Sequence, residues 1–137
     1  MAEMEERLSE NNLDVIFTNK AESIFVMADG QLLWRVIENL LTNVSKYALP
    51  ASRVYIDISE ENDMICLDVK NMSKDRLNIS ADELMERFKR GDESRNTEGS
   101  GLGLAIAKDL TNLMNGAFEL TIDGDLFKVR VALVKAV

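Results

Sequence analysis

Three side chains stand out for the chemistry they could share. Asn39, Asn43 and Lys46 follow one another at i, i+4 and i+7, a spacing that sets them in one stripe along a helix. Asparagine is a poor helix former, and two of them one turn apart lower helix propensity for no structural gain. Amide oxygens ligate hard cations and an ammonium meets phosphate oxygens, so the stripe matches what a Mg2+–triphosphate requires. Tyr47 stands beside it. Surface tolerance of polar residues is the competing reading, and the trio alone does not decide.

The run Gly99-Ser100-Gly101-Leu102-Gly103-Leu104 is more specific. Its glycines alternate directly before a helical pattern, where each would cost ~1 kcal/mol if helix were all the site needed. Backbone amides left open at a helix start make an anion cradle. Lys89, Arg90 and Arg95 lie just upstream and supply positive charge. No lysine follows to make GxxxxGK[ST], and Leu104 occupies the place of the third glycine of GxGxxG. A flexible loop running into a helix is the alternative.

Composition narrows the field. The 137 residues suffice for one domain with a proper core, and 46% hydrophobic with 29% charged residues is ordinary for a globular protein. A net charge of -8 argues against non-specific nucleic-acid binding. The sequence contains no histidine, which removes serine triads, histidine general bases and histidine zinc sites. The single Cys66 reads as a buried thiol in a reducing compartment. No run approaches the ~20 apolar residues of a membrane span, and no signal peptide opens the chain, so direct membrane insertion is not expected.

The elements that must position these residues follow from periodicity. Residues 1–12 are polar and read as a linker or the end of a preceding helix, and 13–137 as the domain proper. Leu13 to Thr18 and Ser23 to Met27 alternate as short strands. Asp29 is a helix N-cap, and apolar residues recur at helical spacing from Gln31 to Ala48 before Pro50. Val54 to Ser59 and Met64 to Val69 predict a hairpin turning at Glu60-Glu61-Asn62-Asp63. A short helix is expected over Asp82 to Phe88, then a polar loop over Lys89 to Gly99. A second long helix is expected from Gly101 to Met114, stopped by Asn115-Gly116. Phe118 to Ile122 and Leu126 to Leu133 close as a hairpin over Asp123-Gly124-Asp125. The order predicts an α+β two-layer sandwich, a mixed sheet covered on one face by helices.

The run from Asp29 through Ile37-Glu38-Asn39-Leu40-Leu41-Thr42-Asn43-Val44-Ser45-Lys46-Tyr47 resembles the N box of sensor histidine kinases. Glu86-Arg87-Phe88-Lys89-Arg90-Gly91-Asp92 is similar to their F box, and Gly99 to Ala107 to their second glycine box, in the expected order. The resemblance covers roughly residues 24 to 134 and implies the Bergerat-type ATP-binding fold shared with gyrase, Hsp90 and MutL. By position it implies Asn43 as the principal Mg2+ ligand with Asn39 beside it, and Lys46 on phosphate. Tyr47 would pack on adenine or ribose. Arg90 and the backbone of Gly99, Gly101, Leu102, Gly103 and Leu104 would meet the β- and γ-phosphates, with Phe88 anchoring a lid. ATP-hydrolysing members carry a glutamate where this chain has Asn39. An amide is no base near pH 7, which favours transfer over hydrolysis. Glu38 reads equally as an aid to the incoming acceptor or as a solvated surface acid.

The resemblance implies a domain that binds Mg·ATP and passes the γ-phosphoryl group to a histidine on a separate dimerisation domain. Its parent would be a membrane-attached two-component sensor kinase with a downstream response regulator, this domain lying in the cytoplasm. The alternative is a degenerate nucleotide-binding or interaction module of the same fold. The departures bear on that choice. The family's first glycine box is missing, and Asn71 falls where its adenine-binding aspartate belongs. An asparagine carbonyl still accepts that hydrogen bond. Losing the charge costs ~1–2 kcal/mol, roughly tenfold in affinity. The acceptor histidine must lie outside this sequence.

Overall fold

The computed structural model describes residues 12–21, 29–74, 83–85 and 102–135. Five strands form one sheet in the order β1-β2-β3-β5-β4: β1 Asp14–Asn19, β2 Arg53–Glu61, β3 Met64–Met72, β4 Ala117–Asp123 and β5 Leu126–Val134. The β1–β2 pair is parallel and the others are antiparallel, so the sheet is mixed. Helices α1, Gly30–Tyr47, and α2, Leu102–Leu113, cover one face. This is the expected α+β sandwich. The strand expected over Ser23 to Met27 lies outside the described residues, and of the short helix over Asp82 to Phe88 only residues 83–85 are described, as helix. No helix among the described residues is long and apolar enough to cross a membrane.

Asp29 caps α1: its Oδ1 accepts from the backbone N–H groups of Gln31 (2.9 Å) and Leu32 (3.1 Å), relieving two of the orphan donors of a helix start. The helix stops at Tyr47, one residue before the expected end, because Ala48 turns extended: its N–H closes a last helical bond to the Val44 carbonyl while the residue itself forms an antiparallel bridge with Ser73. Val36, Leu40 and Val44 pack from α1, and Leu104 and Ala107 from α2. They meet Val54, Val69, Phe127, Val129 and Val131, the inward-facing residues of the sheet. Alternation along each strand dictates which face is apolar.

The opposite face carries charge. Asp57 and Asp68 are directly paired across β2 and β3, an arrangement of like charges that is destabilising unless compensated. Each has a cation: Lys70 lies 3.4 Å from Asp57, and Arg130 donates to both oxygens of Asp68 at 2.7 and 2.8 Å. Arg130 also donates to Glu61 at 2.7 Å. Cys66 sits buried beside this cluster, its Sγ 3.7 Å from Glu61, and burial pushes its thiol pKa up.

Two turns are tighter than the sequence indicates. The β2–β3 hairpin turns on Asn62 and Asp63 alone, both with positive φ (50° and 66°). A two-residue turn of that hand matches the twist of the flanking strands, so β2 runs on to Glu61, while β3 starts at Met64 as expected and extends at its other end to Met72. After α2, the left-handed residue is Asn115 (φ 60°), not Gly116. The Gly116 N–H donates to the Thr111 carbonyl and that of Asn115 to Asn112, each at 3.0 Å, which closes a Schellman cap.

Candidate functional site

The candidate site forms where the second half of α1, the start of α2 and the end of β3 converge. Backbone bonds hold the convergence: the Leu49 N–H donates to the Met72 carbonyl at 2.7 Å and that of Lys74 to Tyr47 at 2.9 Å. The C-terminus of α1 is therefore pinned to the end of β3, and Asn71 is drawn under the face that carries Asn43. On the other side, a Cβ added to Gly103 would lie 3.6 Å from Asn39 Oδ1. The glycine run thus enters its helix against the asparagine stripe.

The crevice between them is walled by Leu40, Val44 and Leu104 from the helices and by Val69, Phe127 and Val129 from the sheet. Two amides, Asn43 and Asn71, interrupt the apolar wall. Both are buried, Asn71 to 3% exposure. Asn71 Nδ2 donates to the Met72 carbonyl at 3.3 Å, while its Oδ1 has no partner among the described residues. Asn39 Nδ2 is likewise buried without a partner among them. Buried polar groups are paired in more than nine cases in ten, so two orphans beside one crevice mark it as a place where a polar ligand completes the bonding.

Of the residues singled out from sequence, Asn39, Asn43, Asn71, Gly103 and Leu104 come together here. Lys46 and Tyr47 lie one turn further along α1, half-buried, and Glu38 is exposed. Leu102 opens α2. Phe88, Arg90, Gly99 and Gly101 lie outside the described residues. Leu40, Val44, Val69 and Val129 line the crevice as well, and periodicity alone assigns them to the core.

The arrangement offers neutral amides and the N-terminus of a 12-residue helix, whose first-turn N–H groups lack intrahelical partners and whose dipole favours an anion. Among the described residues no three His, Cys, Asp or Glu side chains converge to hold a metal. Mg2+ keeps several waters and takes its charge neutralisation from carboxylate or phosphate. Amides alone fit it only as a metal that arrives with a bound polyphosphate.

Residues 28–135 match the family described as histidine kinase-, DNA gyrase B-, and HSP90-like ATPase. The sensor histidine kinase YvrG of Bacillus subtilis (strain 168) is 32% identical over 123 residues, which span 89% of this chain and 21% of that protein. The histidine protein kinase SaeS of Staphylococcus aureus (strain USA300) is 33% identical over 129 residues, 89% of this chain and 36% of that protein. This chain therefore spans between about a fifth and about a third of the length of these two relatives. Among solved structures, the nucleotide-free catalytic domain of histidine kinase ThkA superposes with a TM-score of 0.80 at 21% identity, covering 98% of this chain and 86% of that one. Histidine kinase AdeS of Acinetobacter baumannii gives 0.76 at 18% identity, covering 99% of this chain and 61% of that one. At such identities the structural likeness speaks to the fold.

Proposed function

Since the chain belongs to the histidine kinase-, DNA gyrase B- and HSP90-like ATPase family, we propose that it is the catalytic domain of a sensor kinase, binding Mg·ATP and donating the γ-phosphoryl group to a histidine on a separate dimerisation domain. The observation that carries this reading is the meeting of the Asn39–Asn43 stripe, the glycine entry to α2 and the unpartnered Asn71 carbonyl at one crevice. An apolar wall interrupted by amides suits a purine ring, and a helix N-terminus suits its phosphates.

Each residue then has a task. Asn71 accepts from the base, and Tyr47 packs on adenine or ribose. Asn43 and Asn39 present amide oxygens to the metal, and Lys46 meets phosphate. The N–H groups from Gly99 to Leu104 and the Arg90 guanidinium receive the β- and γ-phosphates, with Phe88 anchoring a lid. Mg2+ supplies charge neutralisation across the phosphates when bound. In the transfer, a nitrogen lone pair of the acceptor imidazole forms the N–P bond as the bond to the bridging oxygen breaks. ADP leaves with that electron pair, and the proton on the other imidazole nitrogen passes to a base, a role Glu38 is near enough in sequence to assist. Positioning and electrostatics carry most of such a reaction. With Asn39 where hydrolysing relatives hold a glutamate, transfer is favoured over hydrolysis. The parent protein would be a membrane-attached kinase of a two-component system, this domain on the cytoplasmic side and a response regulator downstream.

A second reading, a nucleotide-binding or interaction module without kinase activity, is favoured by one observation: the base end carries a neutral amide where an acid is the rule. Titrating a fluorescent ATP analogue with and without Mg2+ separates the readings. Saturation with a Mg2+-dependent component lost in Asn43→Ala supports the kinase, as does acid-labile phosphate on an added dimerisation domain. Absence of saturable binding up to millimolar nucleotide refutes it.

A further inference from the structure

Asn71 carries a consequence for the choice of base. It is buried to 3% exposure on β3, it lines the crevice, and its Oδ1 has no partner among the described residues. The rest of that wall is apolar apart from Asn43, another neutral amide. No described carboxylate lines the crevice. A carboxylate only accepts hydrogen bonds, so it would pair with an exocyclic amine and oppose a carbonyl at the same place. An amide both accepts and donates.

Resting on the nucleotide reading above, we propose that Asn71 is a specificity-determining residue that admits both 6-amino and 6-oxo purines, so that the domain takes inosine triphosphate nearly as well as adenosine triphosphate. In the orientation observed, Oδ1 is the unpartnered atom, the one that would accept from a 6-amino group. Rotation about the terminal side-chain bond, a broad and roughly two-fold torsion, exchanges Oδ1 for Nδ2 and offers a donor to a 6-oxo group. Among the described residues, what opposes rotation is the bond from Nδ2 to the Met72 carbonyl, which at 3.3 Å is longer than the usual range for such bonds and so leaves room for the two oxygens to part when Oδ1 takes that place. Loss of one such bond sets the penalty for the 6-oxo base at about tenfold in affinity. Inosine is the proper probe because it changes the 6-position without adding the 2-amino group of guanine.

The test is competition of Mg·ATP and Mg·ITP against a fluorescent ATP analogue on the 137-residue chain. The expected result is an ITP affinity within about tenfold of that for ATP. Asn71→Asp should widen the ratio by at least about a further tenfold, strengthening ATP and weakening ITP. A wild-type preference for ATP above about a hundredfold, or a folded Asn71→Asp with an unmoved ratio, overturns the proposal while leaving ATP binding intact. If the buried carboxylate prevents folding, as circular dichroism would show, the wild-type ratio decides alone. Failure of the analogue itself to bind refutes the nucleotide reading, and this inference falls with it.

Discussion

Gly103→Ala separates folding from function at this site, because the two respond in opposite directions. Gly103 is the second residue of α2, and an added Cβ would lie 3.6 Å from Asn39 Oδ1 and 3.7 Å from its Cγ. Those are ordinary van der Waals distances, so the fold accepts the methyl group without a shift. Alanine is better than glycine in a helix by about 0.5–1 kcal/mol. An unfolding entropy of about 2.1 cal/mol/K per residue turns that gain, over 137 residues, into a rise of about 1.7–3.5 °C in Tm. The same methyl group occupies the space between the helix entry and the Asn39 amide, where the proposed phosphates must lie. Affinity for the Mg·ATP analogue should therefore fall at least about tenfold, or about 1.4 kcal/mol. Calorimetry and fluorescence titration on one preparation give both numbers. Unchanged affinity in the stabilised variant would refute phosphate binding at this helix entry. A loss of stability above about 1 kcal/mol would refute the argument that glycine is sterically unnecessary there.

Three further outcomes follow from the fold. In Gly116→Ala the new Cβ would stand 2.5 Å from the Ala132 carbonyl oxygen and 2.8 Å from Leu133 Cδ2; denaturant unfolding should show about 1–3 kcal/mol of lost stability, and a neutral variant would contradict the close approach. Arg130→Met strands Asp68, whose side chain is 9% exposed, and should cost about 3 kcal/mol; adding Asp68→Leu should recover part of it, whereas additive losses would mean that the pair is not coupled. Burial raises the Cys66 pKa above its unfolded value, so native packing favours the neutral thiol. That stability is present below the ordinary thiol pKa and is lost as pH rises through the folded one. The difference in urea midpoint between wild type and Cys66→Ala should accordingly shift against the wild type as pH rises past the ordinary thiol range, and a constant difference would refute it.

Much of the scaffold is legible because its signals are local. Asp29, the apolar spacing of α1 and Pro50 bracket the helix to within a residue at its C-terminal end. Alternation identifies each described strand. The asparagine stripe is legible for the same reason, since helical spacing alone places Asn39 above Asn43. What joins it to Asn71 is not local. That contact depends on backbone bonds from Leu49 and Lys74 that tie the end of α1 to β3, and on the pairing of Asn71 with Phe127 across β3 and β5. The charged face is equally illegible, because Arg130 reaches partners 62 and 69 residues away.

The glycines show most clearly what local reading misassigns. Sequence pattern makes Asn115-Gly116 a helix stop without dividing the work between them; Asn115 takes the left-handed backbone, and Gly116 is required because β5 passes too close for any side chain. Gly103 presents the converse case. Its setting requires neither positive φ nor close approach, and folding alone would favour alanine. A glycine that the fold imposes is accounted for by folding. One that the fold would willingly replace needs another cause, and here the neighbouring groups are the amide of Asn39 and the N-terminal turn of a helix. Both suit an anion delivered from outside the chain, so nucleotide binding draws more support from this unforced glycine than from Gly99 and Gly101, the other two of its motif.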